Sequence, residues 1–326
     1  MKVLLTGASG FVGSHILDSL RGRRIDTAIL LRPTSDKRFI ASHLPAVELR
    51  SGSVTDRASL DRALEGITHV IHCAGCTRAR RNSEFYDINQ AGTRNVVEAA
   101  NTRRDRLQRL VHISSLAAAG PATAAKPACE SDPPAPVSEY GKSKLAGELE
   151  VRNQSRVPWV VIRPPAVYGP RDEAFFSMFQ AVSCHLLPRP SARQALSVVF
   201  APDLAEMIVT ALEHPAALGK TYFAASDEVI TGRRMAGEIA AQMGHWTIPC
   251  PLPSALLWPV CVFQEGLSRI TGKASLLNLQ KFAELRAPGW VCDPSLLRHE
   301  LGCSCPTTLA KGIAATLKWY WDQGWL

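Results

Sequence analysis

Tyr140 and Lys144 stand four residues apart in Tyr140-Gly141-Lys142-Ser143-Lys144, and Leu145, Ala146 and Leu149 continue a helical pattern behind them. At that spacing on a helix both side chains project from one face. A tyrosine ordinarily titrates near ~10, too high for proton transfer at neutral pH. A neighbouring ammonium favours the phenolate and lowers that value, and the phenol then serves as a general acid or base. Ser115 closes the apolar run Leu110-Val111-His112-Ile113-Ser114-Ser115, where its hydroxyl can hold a substrate oxygen towards Tyr140. Taken alone, Tyr-x-x-x-Lys also suits an ordinary surface helix, so its meaning depends on the elements that position it.

The N-terminal stretch supplies the decisive context. Lys2-Val3-Leu4-Leu5-Thr6 reads as a short buried strand and runs into Gly7-Ala8-Ser9-Gly10-Phe11-Val12-Gly13, after which Ser14-His15-Ile16-Leu17 begins a helical pattern. A strand, a turn with glycines three apart and a helix opening on the third glycine form a phosphate-binding device. The first glycine permits the turn, the second lets a pyrophosphate reach the backbone and the third lets helix and sheet pack closely. The spacing is G-x-x-G-x-x-G rather than the G-x-G-x-x-G of the usual dinucleotide fingerprint. Ser9, Phe11 and Val12 fall inside the same loop and are expected to contact the dinucleotide with the three glycines.

Alternating strand and helix patterns follow. Thr27–Arg32 is a second strand, stopped by Pro33. In a dinucleotide fold its end lies near the adenosine ribose, where an acid would take the hydroxyls of NAD and an arginine would pair with the 2′-phosphate of NADP. Arg32, followed by Lys37 and Arg38 with no acid at the strand end, favours NADP and leaves NAD possible; a solvated Arg32 is the plainer alternative. Val47–Leu49 is a weak third strand leading through Ser53 and Val54 into a helix around Leu60–Leu64. His69–Gly75 is a fourth, ending in the small Cys73, Ala74 and Gly75, which let backbone lie against a cofactor. A helix is expected over 84–103, carrying Asn89, then the strand ending at Ser115, an Ala- and Pro-rich loop from Ala117 to Pro136, the Tyr140 helix and a strand over 157–162. This alternation specifies an α/β fold with a doubly wound, Rossmann-like parallel sheet. A lobe change is expected near residue 165. Residues 1–165 then form the dinucleotide-binding domain and residues 166–326 a smaller, mostly helical substrate lobe, with segments near 197–213 returning to the core.

Composition excludes other classes. The 326 residues are 46% hydrophobic and 20% charged, as in ordinary globular chains. The net charge of +8 comes from dispersed clusters, Arg21/Arg23/Arg24, Arg78/Arg80/Arg81 and Arg103/Arg104/Arg106/Arg109, without a nucleic-acid-binding motif. Met1 stands almost in the first strand, which predicts no signal peptide. The nine cysteines then read as reduced thiols in a cytoplasm. Cys73-x-x-Cys76 and Cys303-x-Cys305 have metal or redox spacing but lack the recurring partners of a zinc site. Trp246–Phe263 has no charged residue, yet four prolines interrupt it, so a substrate lid or a peripheral membrane contact is expected rather than a span.

The chain resembles the extended short-chain dehydrogenase/reductases, the epimerase/dehydratase superfamily that includes dihydroflavonol reductases and 3β-hydroxysteroid dehydrogenases. The resemblance rests on Thr6–Gly13, His72-Cys73-Ala74-Gly75, Asn89 with Gly92-Thr93, Ser114-Ser115, Tyr140-x-x-x-Lys144 and Arg163-Pro164 through Tyr168-Gly169-Pro170, with Glu300-Leu301-Gly302, Pro306 and Trp319 near the end. It implies that Tyr140 is the acid/base, Ser115 the substrate-oxygen partner, Lys144 the ribose ligand and Asn89 a fourth catalytic member. It also implies cofactor contacts at Pro164 and Val167, and a homodimer. Ser53 stands where many relatives have an adenine-contacting Asp, shifting that role towards backbone and Val54. Ala201-Pro202-Asp203 replaces a more polar segment, which weakens a sugar-nucleotide reading.

Three functions follow as expectations. The first is an NAD(P)-dependent oxidoreductase interconverting a ketone and a secondary alcohol on a hydrophobic steroid-, flavonoid- or polyketide-like molecule, because Ile248–Phe263 and Leu267, Ile270, Leu276, Leu277 and Leu279 are strongly apolar. The second is a nucleotide-sugar epimerase or dehydratase with retained NAD, for which Arg189 and Arg193 would serve a diphosphate. The third is a non-catalytic dinucleotide-sensing protein, disfavoured by the intact Ser115, Tyr140 and Lys144.

Overall fold

A computed structural model describes residues 1–189, 194–251 and 279–326. Arg193, Leu267, Ile270, Leu276, Leu277 and most of the uncharged Trp246–Phe263 stretch therefore lie outside the described residues.

The first half alternates as its hydrophobic periodicity requires: β1 (Lys2–Thr6), α1 (Phe11–Gly22), β2 (Asp26–Leu31), β3 (Glu48–Ser51), α2 (Arg57–Ala63), β4 (His69–His72), α3 (Asn82–Tyr86), α4 (Gly92–Asn101), β5 (Arg109–Ile113), α5 (Leu116–Ala119), α6 (Glu139–Gln154) and β6 (Trp159–Arg163). The second half adds β7 (Ala166–Tyr168), α7 (Phe176–Ser183), β8 (Leu186–Arg189), β9 (Ala195–Phe200), α8 (Ala201–Glu213), β10 (Lys220–Phe223), β11 (Val229–Thr231), α9 (Gly232–Met243), β12 (Ile248–Pro251), α10 (Leu279–Arg286), β13 (Gly289–Trp290), α11 (Ser295–Leu301) and α12 (Leu309–Asp322).

Seven strands form one parallel sheet in the order β10-β6-β5-β4-β1-β2-β3. Its inner strands are largely buried because helices cover both faces, whereas the edge strand β3 is polar and mostly exposed. Side chains alternate accordingly. Val3, Leu5, Ile29, Ile71 and Val111 pack with α1 and α8 on one face, and Leu4, Ala28, Leu30, Val70 and Leu110 pack with α2, α4 and α6 on the other. The order reverses between β1 and β4, and a doubly wound sheet opens its ligand crevice at the carboxyl ends of the strands flanking such a reversal. Residues beyond 165 complete this sheet: β10 pairs with β6, and α8 covers α1's face. A second sheet, β11-β9-β13 with β7 on β9, encloses a separate core of Tyr168, Phe179, Phe200, Ile239, Ile313 and Tyr320. Ala122 and Ala128 of the Ala- and Pro-rich loop bridge to Trp290 and Cys292, tying that loop to this sheet.

Two local expectations are corrected. The first helix opens at Phe11, not at Gly13, because Gly10 is extended and acts as its N-cap, leaving the N–H groups of the first turn aimed at the strand ends. The helix expected over 84–103 is divided into α3 and α4 by a wider turn at Asp87–Ala91. That turn brings the Asn89 carbonyl so close to α6 that a Cβ on Gly147 would lie 2.3 Å from it. The helices therefore meet backbone to backbone.

Gly13 is as constrained, since a Cβ there would stand 2.0 Å from the Gly7 carbonyl oxygen, whereas a Cβ on Gly22 of the same helix meets nothing within 4 Å. Gly13→Ala should cost about 1–3 kcal/mol through overpacking. Gly22→Ala should be neutral or gain up to about 1 kcal/mol from helix propensity. Denaturant unfolding of the two variants checks this, and equal effects would contradict it.

Candidate active site

The site begins where β1 stops. Gly7 adopts φ of +76°, and a Cβ there would strike the Ala74 backbone nitrogen at 2.6 Å. The turn after β1 is thereby pressed against the chain leaving β4. Gly10 donates its N–H to the Gly7 carbonyl at 3.1 Å. Thr6 braces the same junction: its hydroxyl accepts from Ala74 N at 3.2 Å and meets His72 Nδ1 at 2.8 Å. No acidic side chain stands in the first turn of α1, so the helix N-terminus is open to an anion.

A cleft of about 1100 Å³ runs along the carboxyl edge of the sheet. It brings together every residue that the sequence assigns to the dinucleotide: the loop from Gly7 through Ser9, Gly10, Phe11, Val12 and Gly13, then Arg32, Ser53, Val54, Cys73, Ala74, Gly75, Pro164 and Val167, and at its far end Ser115, Tyr140 and Lys144. Asn89 is not in its wall. Asn89 lies buried behind it, its Oδ1 accepting from Cys76 N at 2.7 Å and its Nδ2 donating to Cys76 O and to Ser143 Oγ, both at 2.9 Å. Its amide thus joins the segment after β4 to α6, on the turn that separates α3 from α4.

Beyond the end of β2, Arg32 and Arg38 line the cleft with Ser35, while Lys37 does not. Arg38 pairs with Asp36 at 3.2 Å and with Glu173, and its guanidinium lies 4.5 Å from the centre of the Phe39 ring. Between the ends, Val54 packs against Gly92, and its carbonyl accepts from Asn95 at 2.9 Å. The Ser53 hydroxyl meets that of Thr55 at 2.8 Å.

At the other end Ser138 caps α6 by accepting from Gly141 N at 3.1 Å. This starts the helix one residue before Tyr140. Ser115 caps α5, accepting from Ala117 N at 3.1 Å, and lines the cleft with the Tyr140 phenol. Burial dominates that phenol and pushes it up to about 12; the Ser115 hydroxyl opposes the rise and the Glu284 carboxylate reinforces it. The Lys144 ammonium is anchored on the Ile113 carbonyl at 2.7 Å, and burial brings it down to about 8. Desolvation thus governs the phenol in the protein alone, and Ser115 is the group that favours its phenolate.

Among the members of the wall that sequence reasoning missed are Thr6, Arg171, Asp172 and Glu284. Burial raises Asp172 to about 6 even though its carboxylate accepts from Ala174 N and Phe175 N. Arg171 pairs with Asp18 of α1 at 2.7 Å. Thr6 and the Gly169-Pro170-Arg171-Asp172 turn lie beside recognised motifs and were within reach. Glu284 is brought in from α10 by the tertiary fold, with no local pattern to announce it. Its Oε1 accepts from Ser138 Oγ at 2.9 Å. Cys73 lines the cleft, and Cys76 Sγ donates to Arg78 O at 3.0 Å. Among the described residues no helix is long and apolar enough to cross a membrane.

Comparisons with known proteins agree with this geometry. A ceramide reductase of Caulobacter vibrioides is 29% identical over 326 residues, covering 99% of this chain and 96% of its own. A UDP-glucose 4-epimerase of Vibrio cholerae is 26% identical over 329 residues, covering 97% of this chain and 94% of its own. The fold is shared with a Thermus thermophilus UDP-glucose 4-epimerase solved with NAD, at a TM-score of 0.77 and 22% identity over 98% of this chain and 99% of that one. A family model for the NAD dependent epimerase/dehydratase family matches residues 3–225. The match takes in the glycine turn, the wall of the cleft apart from Glu284 and the Tyr140–Lys144 helix alike, so the chain belongs to the NAD-dependent epimerase/dehydratase family.

Proposed function

We propose that the protein is an NADP(H)-dependent oxidoreductase that interconverts a ketone and a secondary alcohol on a hydrophobic small molecule. The observation that carries this reading is the gathering of Ser115, Tyr140 and Lys144 at one end of a cleft whose other end holds Arg32 and Arg38. The cleft fits a dinucleotide: an open helix N-terminus faces it, Gly10 leaves room for a pyrophosphate, and a Cβ on Gly75 would crowd Asn89 and come within 3.6 Å of Lys144 Nζ. Gly7–Gly13 would hold the pyrophosphate, Val54 and Ser53 the adenine, Arg32 and Arg38 the 2′-phosphate, and Lys144 the nicotinamide ribose. Residues 166–326 would supply the substrate lobe.

The bound cofactor supplies or accepts the hydride. The chain's own residues manage the proton. Ser115 holds the substrate oxygen, and Tyr140 donates its phenolic proton to that oxygen as the alcohol forms. A phenol kept neutral by burial is suited to donation, and the Ser115 hydroxyl favours the phenolate that remains. Lys144, fixed on Ile113 O, places positive charge beneath the same point. Asn89 positions α6 through Ser143, whose hydroxyl in turn donates to the Tyr140 carbonyl at 2.8 Å. The full-length similarity to a ceramide reductase supports a lipid-like substrate.

A second reading is a nucleotide-sugar epimerase, supported by the similarity to the Vibrio cholerae enzyme and by Arg78 and Arg171 in the cleft wall, which suit a diphosphate. Protection against heat by uridine-diphosphate sugars would favour it.

Two outcomes test the proposal. A panel containing a steroid ketone, a dihydroflavonol, an aryl alkyl ketone and a long-chain keto amide should reveal NADPH oxidation that Tyr140→Phe lowers at least about 100-fold while NADPH binding persists. A panel without Tyr140-dependent oxidation contradicts the reading. Arg32→Ala with Arg38→Ala should weaken NADPH binding about 10- to 100-fold, the loss of a charged hydrogen bond or two, and leave NADH binding within about twofold. Equal losses for both cofactors would contradict the NADP assignment.

A further inference from the structure

Behind the catalytic corner lies a charged cluster that the proton transfer does not use. Glu148 is 0% exposed and Arg163 1% exposed. Arg163 Nε donates to the two Glu148 carboxylate oxygens at 2.9 and 3.2 Å, and Arg163 Nη2 donates to Oε2 at 2.6 Å. Ser114 Oγ donates to the same carboxylate. The Arg163 guanidinium lies over the Phe223 ring, its carbon 5.6 Å from the ring centre.

Burying two ions is expensive, and well-packed apolar residues of similar size hold a fold together as well or better. Stability alone is thus a poor account of this cluster. Its connections give a better one. Glu148 follows Lys144 by one helical turn and Tyr140 by two, so it lies on their face of α6. Ser114 immediately precedes Ser115, and Arg163 immediately precedes Pro164 of the cleft wall. Backbone bonds couple the two strand ends further, Ser114 N to Ile162 O at 2.7 Å and Leu116 N to Pro164 O at 2.8 Å. The carboxylate therefore sits where the helix bearing the acid, the strand bearing the hydroxyl and the strand feeding the cofactor wall all meet.

We propose that Glu148, clamped between Arg163 and Ser114, is a positioning residue: it fixes α6 against the ends of β5 and β6, so that Tyr140 and Lys144 meet Ser115 across the cleft. The directional, bidentate geometry of an arginine–carboxylate pair suits this task, because it sets orientation as well as distance. Catalytic groups lose much of their effect when displaced by even an ångström. The charge also matters locally. Lys144 is held towards its charged form by Cys73 and Glu148 against the cost of burial. The other titratable groups facing the cluster are His112 and His72 on the sheet, both kept neutral by burial, and Glu130, which senses Arg163.

This inference rests on the catalytic reading of Tyr140, and its test separates the two. In Glu148→Met/Arg163→Met the unpaired charge is avoided, so the variant should fold and bind NADPH within about threefold of wild type. Its kcat on the best ketone of the panel should fall at least about tenfold with little change in KM. Glu148→Gln should move the alkaline limb of the kcat–pH profile to lower pH, since Lys144 loses a group that favours its ammonium. Ser114→Ala removes only the link to β5 and should lower kcat about three- to fivefold with an unaltered melting temperature; it decides the matter if the double variant does not fold. Folded clamp variants with wild-type kcat and pH profile, beside an inactive Tyr140→Phe, overturn the clamp alone. A fully active Tyr140→Phe overturns the catalytic reading on which it rests.

Discussion

Two backbone contacts underlie everything else in this protein: the turn at Gly7 against the chain leaving β4, and the first turn of α1 at Gly13 against Gly7 itself. Neither tolerates a side chain, since Cβ atoms there would stand 2.6 Å from Ala74 N and 2.0 Å from Gly7 O. Because these contacts close, β1, β4 and α1 converge at the point where the sheet's strand order reverses. A cleft there has a floor of backbone N–H groups, one positive helix end and no competing acid in that first turn. Such a surface recognises phosphate by geometry as much as by charge.

The second constraint is desolvation. At the catalytic end, burial raises the Tyr140 phenol and lowers the Lys144 ammonium, so each is pushed towards its neutral form. What opposes this is local: the Ser115 hydroxyl acts on the phenol, Cys73 and Glu148 act on the ammonium, and the ammonium donates to Ile113 O. Those contacts have value only if α6 and the ends of β5 and β6 keep a fixed relation. The buried Glu148–Arg163 pair, with its link to Ser114, stands at that junction, and so does Asn89 on the opposite side of α6. The polar groups behind the cleft are thus as much a part of the site as those that face it.

Much of this was legible in the sequence because it is encoded locally. Apolar runs such as Val3-Leu4-Leu5 and Val160-Val161-Ile162 declare buried parallel strands. The glycine spacing, Ser115 at a strand end and the Tyr140–Lys144 helix are patterns of a few consecutive residues, and the cleft does gather them. What escaped depends on distant parts of the chain. β10 joins the main sheet because β6 offers it an edge. Glu284 reaches the cleft because the folding of the second half carries α10 there. The wider turn at Asp87–Ala91 exists because Asn89 must meet Gly147 of another helix, a demand that no helical periodicity within 84–103 records. The Tyr140 titration depends on more than spacing: Tyr140 and Lys144 share a helix face, whereas the depth of burial and the acceptor that holds the lysine belong to the tertiary structure.

The most direct test of the central claim is to denature freshly purified protein, identify any dinucleotide released and measure its amount per chain, then compare NADPH and NADH binding to the remaining empty sites. An exchanging NADP(H)-dependent reductase predicts far less than one dinucleotide per chain and tighter binding of NADPH than of NADH. Near-stoichiometric, tightly held NAD would contradict it, and would make the protein an enzyme that returns its hydride to the same substrate.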